Sequence, residues 1–118
     1  MRLNEKEEKN MNNVIKQGKT AAVVSYITII GTLIAISMNA EPGNDFARFH
    51  IRQAFGLWLS FFALGFIIGY ANSFYATIGL YVFFIILLLY GFTGALSGKK
   101  QAVPLLGNYF QQWFGFIS

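Results

Sequence analysis

From Gln53 to Gly98 the chain carries no Asp, Glu, Lys or Arg. That gap restricts the possible folds more than any motif does. It is filled with Phe, Ile, Leu and Gly and is interrupted only by Ala71-Asn72-Ser73. A further apolar run, Thr20 to Met38, lies upstream. In water, continuous surfaces of this kind aggregate. A bilayer core requires them, at about 20 predominantly apolar residues per helical crossing. Composition agrees, with 55% hydrophobic and 12% charged residues against the roughly 25% charged residues of soluble domains.

The pattern predicts an all-α membrane protein in one domain, with three transmembrane helices and a C-terminal amphipathic interfacial helix. Residues 1–19 are polar and bury little, so they read as a disordered tail or a frayed, solvated helix. Residues 20–118 form a single helical membrane domain. Span 1 covers residues 20–38, too long and too far from the N-terminus for a signal peptide. Its polar groups are hydroxyls (Ser25, Thr28, Thr32, Ser37), able to bond the preceding backbone turn or a neighbouring helix. Glu41-Pro42-Gly43-Asn44-Asp45 turns the chain, with Asn44 or Asp45 placed to cap the next helix. Spans 2 (54–70) and 3 (74–96) are joined so closely that they must form an antiparallel hairpin.

Small residues four apart allow close helix approach in lipid. They occur as Gly31/Ala35 in span 1, Gly65/Gly69 in span 2 and Gly94/Gly98 at the end of span 3. After Pro104, residues 105–117 place Leu105, Leu106, Tyr109, Phe110, Trp113, Phe114, Phe116 and Ile117 on one half of a helical wheel. Asn108, Gln111 and Gln112 fall on the other half. An uncharged amphipathic helix with Trp and Tyr suits the headgroup boundary; packing on the bundle is the plainer alternative.

Nine basic residues set the orientation. Arg2, Lys6, Lys9, Lys16 and Lys19 precede span 1, while Arg48, Arg52, Lys99 and Lys100 flank spans 2 and 3. Weighting those nearest the span ends tips the balance toward an N-terminus outside and a C-terminus inside. The net charge of +4 then serves lipid headgroups rather than nucleic acid.

One segment interleaves polar and apolar chemistry: Phe46-Ala47-Arg48-Phe49-His50-Ile51-Arg52-Gln53-Ala54. On a helix, Phe46, Phe49, His50 and Gln53 share a face and Arg48 and Arg52 stack on the opposite side. The arginines can grip lipid phosphate or snorkel to headgroups. His50 and Gln53 can tether the helix entrance, and a proton switch at His50 is the sharper alternative. Lys99, Lys100 and Trp113 complete the expected headgroup contacts.

Arg48-Phe49-x-x-x-Gln53-Ala54 opening a span, followed by a hairpin and Gly98-Lys99-x-x-x-Val103-Pro104-Leu105-Leu106-Gly107, resembles a family of small bacterial membrane proteins of unknown function. That family is similar to the twenty-kilodalton component of the chloroplast inner-envelope protein-import translocon. The resemblance covers roughly residues 21–114. It implies four spans with both ends on the stromal side in the chloroplast members, and here the same arrangement without the first span. It also implies a bacterial inner-membrane location and a partner in protein translocation; the missing span argues against a channel.

No catalytic, cofactor or metal constellation is present. Outside the first 19 residues the only acids are Glu41 and Asp45, there is one histidine, and cysteine is absent. General acid–base pairs, hydrolase triads and ligand clusters all lack members, and no ionisable group marks an ion path within a span. The expectation is a non-enzymatic accessory or structural subunit, bound to the bilayer and to another membrane complex or itself. No small-molecule substrate is evident. The alternative is a homo-oligomeric pore, but span 3 offers only Thr77, Tyr81, Tyr90 and Thr93 for a polar stripe.

Overall fold

The computed structural model describes residues 4–104 and 106–117 and contains five helices. They are α1 (Glu5–Ser25), α2 (Ile29–Met38), α3 (Asp45–Ala71), α4 (Phe74–Leu96) and α5 (Gly107–Trp113). Arg2 of the expected tail and Leu105 of the expected C-terminal helix lie outside the described residues.

The first expected span is two helices, not one. The chain breaks at Tyr26-Ile27-Thr28, and the hydroxyls explain why. Thr28 caps α2 by accepting the Gly31 N–H at 3.0 Å, which satisfies one of the four orphan donors of a helix start. The Thr32 hydroxyl donates across the elbow to the Ser25 carbonyl at 2.7 Å. Gly31 makes the approach possible, because a Cβ there would lie 2.3 Å from the Val24 carbonyl oxygen. The α2 helix then returns along α1, so that Asn44 Nδ2 donates to the Val14 carbonyl at 2.8 Å. Ten residues rise only about 15 Å, half a hydrocarbon core. Two helices, α3 and α4, are long and apolar enough to cross a membrane.

The polar N-terminal segment is helical from Glu5 rather than a disordered tail. Asn4 caps it by accepting the Glu7 N–H at 2.8 Å. Glu5, Glu7 and Glu8 lie in the first turn, where the helix dipole favours negative charge. Tertiary packing supports its later turns: Ile15 joins the main apolar core and Gly18 is buried, with no room for a Cβ beside the Asn44 side chain, 2.0 Å away.

The expected hairpin is present. Asn44 caps α3 through the Ala47 N–H. Asn72 ends it with a left-handed φ of 51°, a conformation Asn tolerates, and Ser73 caps α4. The α1 helix runs parallel to the start of α3 and α2 runs back beside them. Burial is therefore confined to one end. In α3 every buried residue lies between Phe46 and Leu57, and in α4 between Phe84 and Ala95. Beyond those points the two helices stand as a bare pair.

The C-terminal segment departs from a flat interfacial helix. Only Gly107–Trp113 is helical, and Phe110 and Ile117 are buried. Gly56 opens the notch that receives the Phe110 ring, since a Cβ there would lie 2.4 Å from it. Phe114 meets Phe55 edge-on at 5.0 Å. The apolar half of the wheel is thus divided, with Tyr109, Trp113 and Phe116 left exposed.

Replacing Gly31 with Ala should force the elbow open and destabilise the fold by about 1–3 kcal/mol. Gly69→Ala meets nothing within 4 Å and should change stability by no more than about 0.5 kcal/mol. Thermal unfolding of both variants in the same detergent separates the two outcomes.

Candidate functional site

Where α1 ends, α3 begins and α4 gives way to the 99–103 linker, three buried polar side chains meet in an otherwise apolar core. Tyr26 is the C-cap residue of α1. His50 and Gln53, three apart on α3, share the face that looks toward it. The Tyr26 hydroxyl lies 2.6 Å from His50 Nδ1, and His50 Nε2 lies 2.8 Å from the Lys99 carbonyl oxygen. Gln53 Nε2 donates to the Tyr26 hydroxyl at 2.8 Å and to the Gln101 carbonyl at 3.0 Å. Gln53 Oε1 accepts the Val103 N–H at 2.8 Å.

A carbonyl only accepts, so His50 Nε2 carries a hydrogen; burial keeps the ring neutral near pH 7, which leaves Nδ1 as the acceptor. Tyr26 must therefore donate to His50 and accept from Gln53. Both amide hydrogens of Gln53 are used, and the imidazole is neutral. Tyr26, His50 and Gln53 are almost wholly removed from solvent, and each is paired, as buried polar groups must be. Gly91 completes the enclosure, because a Cβ there would lie 2.8 Å from the Tyr26 ring and 2.9 Å from Gln53 Nε2.

Asp45–Arg52 precedes the charge-free stretch of α3, and its electrostatics follow from burial and pairing. Burial pushes the His50 imidazole down to about 4, only partly opposed by its bond to the Lys99 carbonyl. Lys100 pairs with Asp45 and holds that carboxyl below its ordinary value.

The expected headgroup residues are largely turned inward. Arg48 donates to the Gly43 carbonyl at 2.9 Å and lies 3.7 Å from Asp45. Arg52 holds the C-terminal turn through Nε to the Ile117 carbonyl at 2.9 Å and through a terminal nitrogen to the Gly115 carbonyl at 3.0 Å. Gln111 donates to the Phe49 carbonyl at 2.7 Å, while the Phe49 ring stands edge-on to His50 at 5.1 Å. Lys99 contributes its carbonyl, and Trp113 is exposed beside Tyr109.

The glycine pairs divide as sharply. Gly31 and Ala35 serve the α1–α2 elbow, and Gly94 faces Gln101. Gly98 takes a φ of 73° at the end of α4, a conformation suited to glycine. Gly65 meets only Leu80 at 3.8 Å and Gly69 meets nothing within 4 Å. Tyr26, Gln101, Gly56 and Gly91 were not legible as partners, since each contact joins residues remote in sequence.

Chemically this cluster is a clamp. A cleft of about 470 Å³ lies between α1, the start of α3 and the end of α4, lined by Met11, Val14, Ile15, Phe46, Gly98 and the Asp45–Lys100 pair, and none of Tyr26, His50 or Gln53 lines it. Among the described residues no three His, Cys, Asp or Glu side chains group to hold a metal ion. No protein-family model, curated protein or solved structure matches this chain.

Gln53→Leu should cost about 2–3 kcal/mol, because it strands the Val103 N–H and the Gln101 carbonyl in an apolar core. Detergent unfolding and proteolysis within residues 99–103 report the loss. For His50 the unfolded chain binds a proton near pH 6.5 and the folded chain only near 4. Stability is therefore complete above pH 6.5 and falls as pH drops from there to about 4, by roughly 3 kcal/mol. Comparing acid unfolding profiles with His50→Gln, which cannot titrate, should remove that slope.

Proposed function

We propose that the chain is a small integral protein of the bacterial inner membrane, acting as a non-catalytic accessory subunit that docks on a larger membrane complex through the distal half of α3 and α4. The observation that carries this reading is the bare hairpin. No residue of α3 after Leu57, and none of α4 before Phe84, is buried. The most apolar 18-residue windows of the two helices are only 17% and 28% buried, whereas the core helix of a soluble domain hides most of its surface. Phe66, Ile67, Phe74 and Ile86 stand open instead. Ala54–Ala71 rises about 27 Å, close to a hydrocarbon core, and Tyr70 and Tyr75 sit where an aromatic belt belongs.

Within that surface a groove of about 430 Å³ runs between α3 and α4 beside Gly65 and Gly69. It is the one small-residue pair that the chain itself leaves open, and backbone access of this kind suits a partner helix. The resemblance carried by Arg48-Phe49-x-x-x-Gln53-Ala54 makes a protein-translocation machine one such partner.

Two crossings also change the expected orientation. With two, the ends of the chain share a side, and the eight basic residues among those described gather there. The Ala71-Asn72-Ser73 turn has none. The positive-inside rule then favours both ends in the cytoplasm, in place of an N-terminus outside.

Purification of the tagged chain in mild detergent should recover a larger partner at near-stoichiometric yield. Gly65→Ile with Gly69→Ile should reduce that recovery at least about tenfold, the equivalent of some 1.4 kcal/mol, without altering thermal stability. Undiminished recovery from the double variant would exclude the groove as the contact.

A further inference from the structure

We infer that the molecule is a wedge that favours a convex, anionic lipid surface on the side of its termini. The inference rests on the membrane reading above. At the level of Gln53, five elements lie side by side: the end of α1, the start of α2, α3, α4 and the C-terminal segment. At the level of Phe66 there are two. A helix with its side chains is about 10 Å across, so the cross-section contracts strongly from one leaflet to the other.

The depth of the elbow follows from its contacts. The Tyr26 hydroxyl meets Gln53, and its ring stands edge-on to Phe92 at 6.4 Å. Gln53 directly precedes the 54–71 crossing and Gly91 of α4 lies beside it, so the elbow sits at the boundary of the apolar layer. From there the elbow and α2 turn outward a face of Ile27, Ile30, Leu33 and Ile34, each more than half exposed. No charged residue falls between Thr20 and Ala40. The C-terminal segment adds Tyr109, Trp113 and Phe116, all exposed.

Lipid, rather than a second protein, is the occupant that charge selects. Lys19 and Lys16 lie about two and three turns above the elbow on α1, at the same end as Lys99 and Lys100, and basic residues at that height attract anionic headgroups. Apolar elements inserted 5–10 Å into one leaflet expand that leaflet alone, and their binding strengthens where curvature has already opened it.

The test uses the full chain carrying a fluorophore at its N-terminus, reconstituted at low density into mixed zwitterionic and anionic phospholipid vesicles of broad size range. Protein density is read vesicle by vesicle for chains whose termini face outward, as shown by access of an external quencher. Density should be about threefold higher on the smallest vesicles than on the largest. Ile30→Ser with Leu33→Ser, both exposed positions, should bring the ratio close to one while the chain stays inserted. A density independent of size, or a double variant as enriched as the parent, overturns the inference. So does a photo-crosslinker at residue 33 that captures a second protein chain instead of lipid. Chains that resist alkaline extraction but show no size dependence remove only the wedge, whereas chains stripped by alkali remove the membrane reading beneath it.

Discussion

Three chain segments are joined through the side-chain amide of Gln53. Its oxygen accepts from the 99–103 linker, and its nitrogen donates both to that linker and to the phenol that ends α1. The arrangement follows from a general constraint. Where a helix ends inside an apolar region, its neighbouring peptide groups lose water and must find partners within the protein. The linker after α4 has no helix or strand to supply them. Gln53 and His50 supply them from α3, and Tyr26 fixes the proton positions of both. The cluster's hydrogen-bonding groups thus hold the fold, and burial keeps its histidine neutral at neutral pH.

The second organising feature is asymmetry along the helix axes. Small residues mark it on both sides. Gly18, Gly56 and Gly91 each accept a side chain where a Cβ would collide, and all three lie at the crowded end. Gly65 and Gly69 lie in the bare half with open space before them. The same residue type therefore stands for completed packing at one end and available surface at the other. Arg48 and Arg52 follow the first pattern: each donates to carbonyls of its own chain, those of Gly43, Ile117 and Gly115.

Much of this was legible in the residues. The Ala71-Asn72-Ser73 connection required a hairpin, and Asn72 and Ser73 are the cap types such a turn demands. The face shared by His50 and Gln53 followed from helical spacing, as did a tethering role for both. What they tether could not be read, since Tyr26 lies within an apolar run and the Lys99, Gln101 and Val103 partners are backbone groups. The break at Tyr26-Ile27-Thr28 was hidden for a different reason. Hydrophobicity reports solvent preference and is blind to whether Thr28 and Thr32 bond their own helix or bend it.

By itself, then, the sequence determined an all-helical chain with a charge-free hairpin, because the solvent preference of Gln53–Gly98 and the brevity of its turn leave few alternatives. Only the tertiary structure decided that the upstream run folds back on itself. That outcome depends on Gly31 meeting the Val24 carbonyl and Thr32 reaching Ser25, with Tyr26 of the elbow held by His50 and Gln53 of α3.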